Sequence, residues 1–200
     1  MDNSGEMITI NYQDKKIRFF WDGLLIKEAA SFLFKRALRT QSHFGTLEEL
    51  QTWIWVVEKK SALSYALFLL ARRSYYSEAL REKLRSQGIS SSVITSLLEE
   101  MKNLGYLQDD EYLNAWVKAE IRKGRSTLMI RARAKQKGFA NQSISILLEK
   151  LFPIDGQKET ANLQIKKLQK KGYPKEKILQ SLQRKGFSYG MLLDLLGKSV

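Results

Sequence analysis

Arg85-Ser-Gln-Gly-Ile89, Lys135-Gln-Lys-Gly-Phe139 and Gln183-Arg-Lys-Gly-Phe187 set the reading of the whole chain. Their glycines, Gly88, Gly138 and Gly186, stand 50 and 48 residues apart, and each precedes one large apolar residue. Eight and four positions before the glycine come Leu80 and Leu84, then Ile130 and Ala134, then Ile178 and Leu182. An i, i+4 pair places both side chains on one helical face. Six, nine and ten positions after it come Ile94, Leu97 and Leu98, then Ile144, Leu147 and Leu148, then Leu192, Leu195 and Leu196. Further upstream, at minus 25 and minus 21, lie Leu63 and Leu67, Leu113 and Val117, and Ala161 and Ile165. Each unit reads as helix, turn, helix, glycine, helix.

The joints follow from backbone physics. A glycine just past a helix takes the left-handed conformation that ends it, and the next apolar residue folds back onto the last turn. Gly124 and Gly172 occupy a second joint fourteen positions before the main glycine, where the first copy has Ser74. Pro174 suits the first turn of the helix after it. One such unit is small and marginal alone, so neighbours are expected to stack and share apolar faces. The expected fold is mainly α, tandem three-helix repeats in an elongated, curved helical array.

Outside the repeats, Met7-Ile-Thr-Ile-Asn-Tyr12 alternates, and Lys16-Ile-Arg-Phe-Phe-Trp21 comes after a polar turn, which predicts a short hairpin. Asp22-Gly23 marks another turn, and Leu24 to Arg39 carries apolar residues at helical spacing. Gly45-Thr-Leu-Glu-Glu49 has the form of a helix start, with Thr46 as cap and Glu49 as its partner. That helix either stops near Lys59 or merges with the first repeat. The expected divisions are residues 1–60 for the hairpin and helical cap, then repeats at 61–108, 109–154 and 155–200.

Composition bounds the function. The 200 residues contain no cysteine, which removes disulfides, thiolate metal sites and cysteine nucleophiles. The longest apolar runs are far below the ~20 residues a membrane span requires. Met1 to Glu6 is polar and acidic, unlike a secretory signal, so a cytoplasmic protein is expected. Lysine and arginine number 34 against 21 acids, a net charge of +13. From Ile121 to Lys175, fourteen basic residues face only Glu149, Asp155 and Glu159. Charge this concentrated favours an acidic or polyanionic partner, against the blander reading of a solvated surface.

The candidate basic face comprises Arg72, Arg73, Arg122, Lys123, Arg125, Arg131, Arg133, Lys135, Lys137, Lys170 and Lys171. Arg131, Arg133 and Lys135 alternate, so one helix cannot align all three, although they can flank a buried stripe through Ile130 and Ala134. Asp109, Asp110 and Glu111 are adjacent, which points them in different directions. They read as a helix start, with Tyr112 packing inward, rather than as a metal site. Tyr75 and Tyr76 stand beside Arg72 and Arg73, and core packing of at least one is expected. His43, the only histidine, has no identifiable partner. No phosphate-cradling glycine loop, dinucleotide motif or nucleophile elbow is present, and no general base, nucleophile, metal set or cofactor site can be nominated. An enzyme is therefore the last reading, and a membrane-surface protein is a poor one.

Leu70-Ala-Arg-Arg73, the Leu80, Lys83, Leu84, Gly88 spacing and Gly105-Tyr-Leu-Gln-Asp-Asp-Glu-Tyr112, taken in order, resemble the RecX family of modulators of the RecA recombinase. The pattern continues through Arg122, Gly124, Ile130 and Gly138, and the resemblance covers about Ser61 to Leu196. The chain departs from the family where Tyr76 replaces a serine, Ala79 a glutamate, Ser126 a second glycine, and Gln108 an Asp or Asn. These departures bear on a cap and a turn. The resemblance implies a monomeric regulator of homologous recombination, DNA repair and the SOS response. It implies lodging in the groove of the RecA filament on DNA, slowing of ATP hydrolysis and strand exchange, and contact with single- or double-stranded DNA through phosphates. The residues alone leave a second reading open, a stand-alone basic helical-repeat protein that binds DNA or RNA.

Overall fold

The computed structural model describes residues 8–197. Met1–Glu6, and Met7 of the expected first strand, lie outside the described residues. The chain divides into two units, Met1–Gln108 and Asp109–Val200.

The first unit opens with strands β1 (Ile8–Gln13), β2 (Lys16–Trp21) and β3 (Leu24–Ala30), an antiparallel sheet in the order β1-β2-β3. The expected hairpin is present, with Gln13 paired to Lys16 across its turn. The helix expected from Leu24 to Arg39 is not. Its first half is β3, and its remainder is two short 3-10 turns, Ser31–Leu33 and Ala37–Arg39. The reason lies in the preceding turn. Asp22 and Gly23 both have positive φ, 48° and 77°, and Trp21 pairs with Leu24 across them. Two left-handed residues in an Asp-Gly pair give the hairpin turn whose twist matches flanking strands, and it overrides the helical spacing of Leu24 and its successors.

Helices α1 (Leu47–Leu70), α2 (Ser77–Ser86) and α3 (Ser91–Asn103) complete this unit. Thr46 caps α1 by accepting the Glu49 N–H, and the Glu49 carboxylate accepts the Gly45 N–H in return. The helix merges with the first repeat, so residue 60 falls inside it rather than at a boundary. Ile17, Phe19 and Trp21 alternate inward from β2 and share one core with Leu50 and Ile54 of α1, Leu80 and Leu84 of α2, and Val93, Ile94, Leu97 and Leu98 of α3. Trp53 lies within 6.0 Å of Phe19, 5.9 Å of Phe34 and 5.1 Å of Phe44, ring centre to ring centre.

One register differs from expectation. Ala62 and Ala66 are fully buried in α1, whereas Leu63 is half-buried and Leu67 is exposed. The first copy lacks the glycine at its first joint, and α1 ends at Leu70, six residues before α2 begins. In the second copy the corresponding link is only four residues. The longer link moves the inward stripe of α1 back by one position.

The second unit contains α4 (Asp109–Arg122), α5 (Thr127–Gln136), α6 (Asn141–Leu151), α7 (Ile154–Gln169), α8 (Lys175–Gln183) and α9 (Tyr189–Gly197). Two cores form here. Leu113, Val117, Ile130, Ala134, Ile144, Leu148 and Phe152 make one. The other contains Ala161, Ile165, Ile178, Leu182, Phe187, Leu192 and Leu196. Among the described residues no helix is long and apolar enough to cross a membrane.

The three main glycines end their helices identically. The Gly88, Gly138 and Gly186 N–H groups reach back to Arg85, Lys135 and Gln183 carbonyls. The next N–H, from Ile89, Phe139 or Phe187, reaches Leu84, Ala134 or Leu182. That pair of bonds is the left-handed helix stop. Gly88 also sits against the sheet. A Cβ there would lie 2.7 Å from Ala29 Cα and from the Glu28 carbonyl oxygen, and the Ala30 N–H donates to the Gln87 carbonyl. In the second unit the Gly186 joint meets Ser126 at the start of α5 in the same manner.

Candidate cationic interface

α4 sets Leu113, Val117 and Glu120 along one inward stripe, so a carboxylate occupies a core-facing position near the helix end and is 1% exposed. A buried carboxylate without partners is costly, and this one gathers three cations. Lys123 Nζ donates to Oε1 at 2.8 Å, while Arg125 and Arg133 face Oε2 at 3.1 and 3.4 Å. The turn at Gly124, φ +69°, makes this possible by reversing the chain just after α4. One negative charge beneath three positive ones leaves the locality cationic.

The same joint is braced by the third repeat. A Cβ on Gly124 would meet the end of the Gln164 side chain of α7, which would have to shift, while the positive φ of the turn itself calls for glycine. Gln164 accepts from Lys185 Nζ at 2.7 Å, and the Lys185 carbonyl accepts the Ser126 N–H at 3.0 Å. Ser126 caps α5 by accepting the Met129 N–H. The serine that replaces the family's second glycine thus supplies the cap rather than weakening the turn. Burial pushes the Lys185 ammonium below its ordinary pKa, and repulsion from Lys167 and Arg125 adds to the effect. Lys185 thus stands within electrostatic reach of Lys167 and of Arg125, and Arg125 is itself already paired with the buried Glu120. An incoming phosphate or carboxylate would relieve that repulsion.

The structure brings together Lys123, Arg125 and Arg133 from the expected set and adds Lys167 and Lys185, which sequence reasoning missed. A signal was present in Glu120, an acid on an otherwise apolar stripe. The remaining residues of that set have other settings. Arg131 is half-buried and donates to the Ser145 hydroxyl of α6, while Lys135 is exposed on α5. The Lys137 ammonium lies 5.7 Å from the centre of the Trp116 ring. Arg122, Lys170 and Lys171 lie at helix ends, Arg122 closing α4 and the two lysines just past α7. Arg72 and Arg73 belong to the first unit, where their guanidinium groups cover Phe68 and Tyr75, each at 4.4 Å. Tyr75 is buried and Tyr76 half-buried. Asp109, Asp110 and Glu111 lie in the first turn of α4, where acids favour the helix dipole, and Tyr112 stacks on Phe139. Among the described residues no group of three or more His, Asp or Glu side chains is placed to hold a metal. His43 is exposed beside Ser42.

No protein-family profile matches the chain. Individual relatives do. The chain is 33% identical over 87 residues to the regulatory protein RecX of Legionella pneumophila, covering 44% of this chain and 58% of that protein. It is 23% identical over 142 residues to the regulatory protein RecX of Caldanaerobacter subterraneus subsp. tengcongensis, 71% of this chain and 72% of the relative. The Geobacillus kaustophilus regulatory protein RecX is 26% identical over 154 residues, 74% of this chain and 57% of its own length. Among solved structures, a crystal structure of regulatory protein RecX superposes with a TM-score of 0.64 at 18% identity, covering 97% of this chain and 98% of the other. RecX from Lactobacillus salivarius gives 0.61 at 22% identity over 70% and 96%. The sequence relatives and a fold shared along nearly the whole chain agree with one another: this chain is similar to RecX proteins in both.

Proposed function

We propose that this chain regulates the RecA recombinase by binding the groove of the RecA–DNA filament, where it inhibits or modulates ATP hydrolysis and strand exchange. It acts by occupancy, without chemistry of its own. The observation that supports this most is the set of cations fixed around one joint, Lys123, Arg125 and Arg133 on Glu120 and Lys185 on Gln164. Cations already fixed by a buried carboxylate and a glutamine lose little freedom on meeting a partner, so more of each charge contact survives as affinity. A filament on DNA presents phosphates and protein carboxylates together, and a cationic joint suits both. The chain acts in the cytoplasm as a monomer and needs no cofactor.

Pull-down on RecA assembled on single-stranded DNA, paired with an ATPase assay, tests the proposal. Retention on filaments with slowed hydrolysis is expected. Binding to bare DNA that is as tight as binding to filaments, with hydrolysis unchanged, would instead identify a stand-alone nucleic-acid-binding protein.

A further inference from the structure

A groove of 910 Å³ lies in the first unit between the two 3-10 turns and the outer face of α1. Phe32, Arg36, Val56, Lys60, Tyr65 and Phe68 line much of it. Phe32, Val56 and Phe68 are 50%, 51% and 51% exposed. Large apolar side chains left in water within one concavity mark a binding surface rather than a random scatter.

The charge around it is one-sided. Residues 31–45 contain Lys35, Arg36 and Arg39 and no acid. Residues 50–73 contain Lys59, Lys60, Arg72, Arg73 and a single acid, Glu58. That glutamate is 1% exposed and is engaged elsewhere, accepting from Lys27, from the Ser90 N–H and from the Ser90 hydroxyl. The groove therefore offers apolar walls and a positive rim with no negative charge of its own, and its complement carries apolar anchors flanked by carboxylates.

The rings discriminate between two anionic partners. Arg72 covers Phe68 at 4.4 Å, Lys59 covers Trp55 at 5.5 Å, and Tyr65 packs on Phe68 at 6.5 Å and on Phe32 at 5.2 Å. Nucleobases bind by stacking on free ring faces, and Arg72 over Phe68, with Tyr65 packed on both Phe32 and Phe68, leaves less free face for them. Ring edges and a valine suit aliphatic side chains. From Val56 to Phe68 the groove runs along α1 for roughly 18 Å, about three turns of a helix.

We propose that this groove docks an acidic amphipathic helix of a partner protein, its apolar stripe on Phe32, Val56 and Phe68 and its carboxylates at Arg36 and Lys60. Such helix-in-groove recognition uses anchors at i, i+3 or i+4, and i+7. The site lies in a different unit from the cationic joint and does not rest on the recombinase reading.

Amide chemical-shift mapping on the full isotope-labelled chain tests it. Three probes are used at up to millimolar concentration: an 18-residue Leu/Glu amphipathic peptide, its Leu/Lys counterpart, and a fifteen-nucleotide oligo-dT. The Leu/Glu peptide should shift amides in residues 32–40 and 53–68. Val56→Glu with Phe68→Glu should weaken it at least tenfold. Arg36→Glu with Lys60→Glu, which leaves the apolar walls intact, should weaken it at least fivefold and strengthen the Leu/Lys peptide. The proposal is overturned if no groove amides shift, if both peptides act equally, if shifts fall only at the Lys123 to Lys185 joint, or if oligo-dT occupies the groove in the peptide's place.

Discussion

Two glycines with nearly the same positive φ separate conformational freedom from close approach. Gly88 and Gly105 have φ of 77° and 76°, yet a Cβ on Gly105 meets nothing within 4 Å while one on Gly88 runs into β3 backbone. Gly105→Ala should cost about 1 kcal/mol, the left-handed penalty alone, and Gly88→Ala about 2 to 4 kcal/mol once overpacking is added. Urea unfolding of both variants checks this, and equal losses would deny that the first joint is seated on the sheet. Lys185 gives a second test, with a sign fixed by linkage. Its folded pKa lies below the ordinary 10.5 because burial, then Lys167 and Arg125, disfavour the ammonium. Between the lowered value and 10.5 the unfolded chain holds a proton the folded chain has lost, so stability rises with pH across that window. Below the window the penalty is fully present. Lys185→Gln should thus match or exceed the parent chain in urea midpoint at pH 7, and the parent should gain on it by about pH 10. A gap unchanged with pH would show that the lysine is not strained.

At the scale of elements, spacing was legible wherever glycine set the frame. Leu80 and Leu84, Ile130 and Ala134, and Ile178 and Leu182 all face inward as their distance from the glycine requires. Two elements were not legible, each because a link outweighed a pattern. β3 carries helical spacing, but the Asp22-Gly23 turn commits it to pairing with β2. α1 carries leucines at the repeat positions, but its longer exit link turns the two alanines inward. The corrected register is testable. Ala62→Leu should destabilise by about 1 to 3 kcal/mol through overpacking at a fully buried site. Leu67→Ala, at a side chain 37% exposed, should cost less than about 1 kcal/mol. Thermal or urea denaturation orders the pair, and the reverse order would restore the leucine register.

For the whole molecule, net charge and its concentration between Ile121 and Lys175 pointed to an anionic partner, but not to the residues that meet in space. Arg125, Lys167 and Lys185 come from a joint, α7 and the link after α8, and Gln164 of α7 both approaches Gly124 and accepts from Lys185. Sequence spacing cannot reveal a cluster assembled across two repeats. The organising acid, Glu120, was visible as a charge on an apolar stripe, but its sign is opposite to that of the cluster it anchors. The dependence of filament affinity on salt reads the cluster most directly, because each phosphate contact contributes about 0.7 to 0.9 to the slope of log affinity against log salt. Measured between about 50 and 200 mM salt, the triple variant Arg125→Gln, Lys167→Gln, Lys185→Gln should bind RecA–DNA filaments more weakly and lower that slope by roughly 2 to 3. A variant of unchanged fold that keeps both the parent's affinity and its slope would contradict the account.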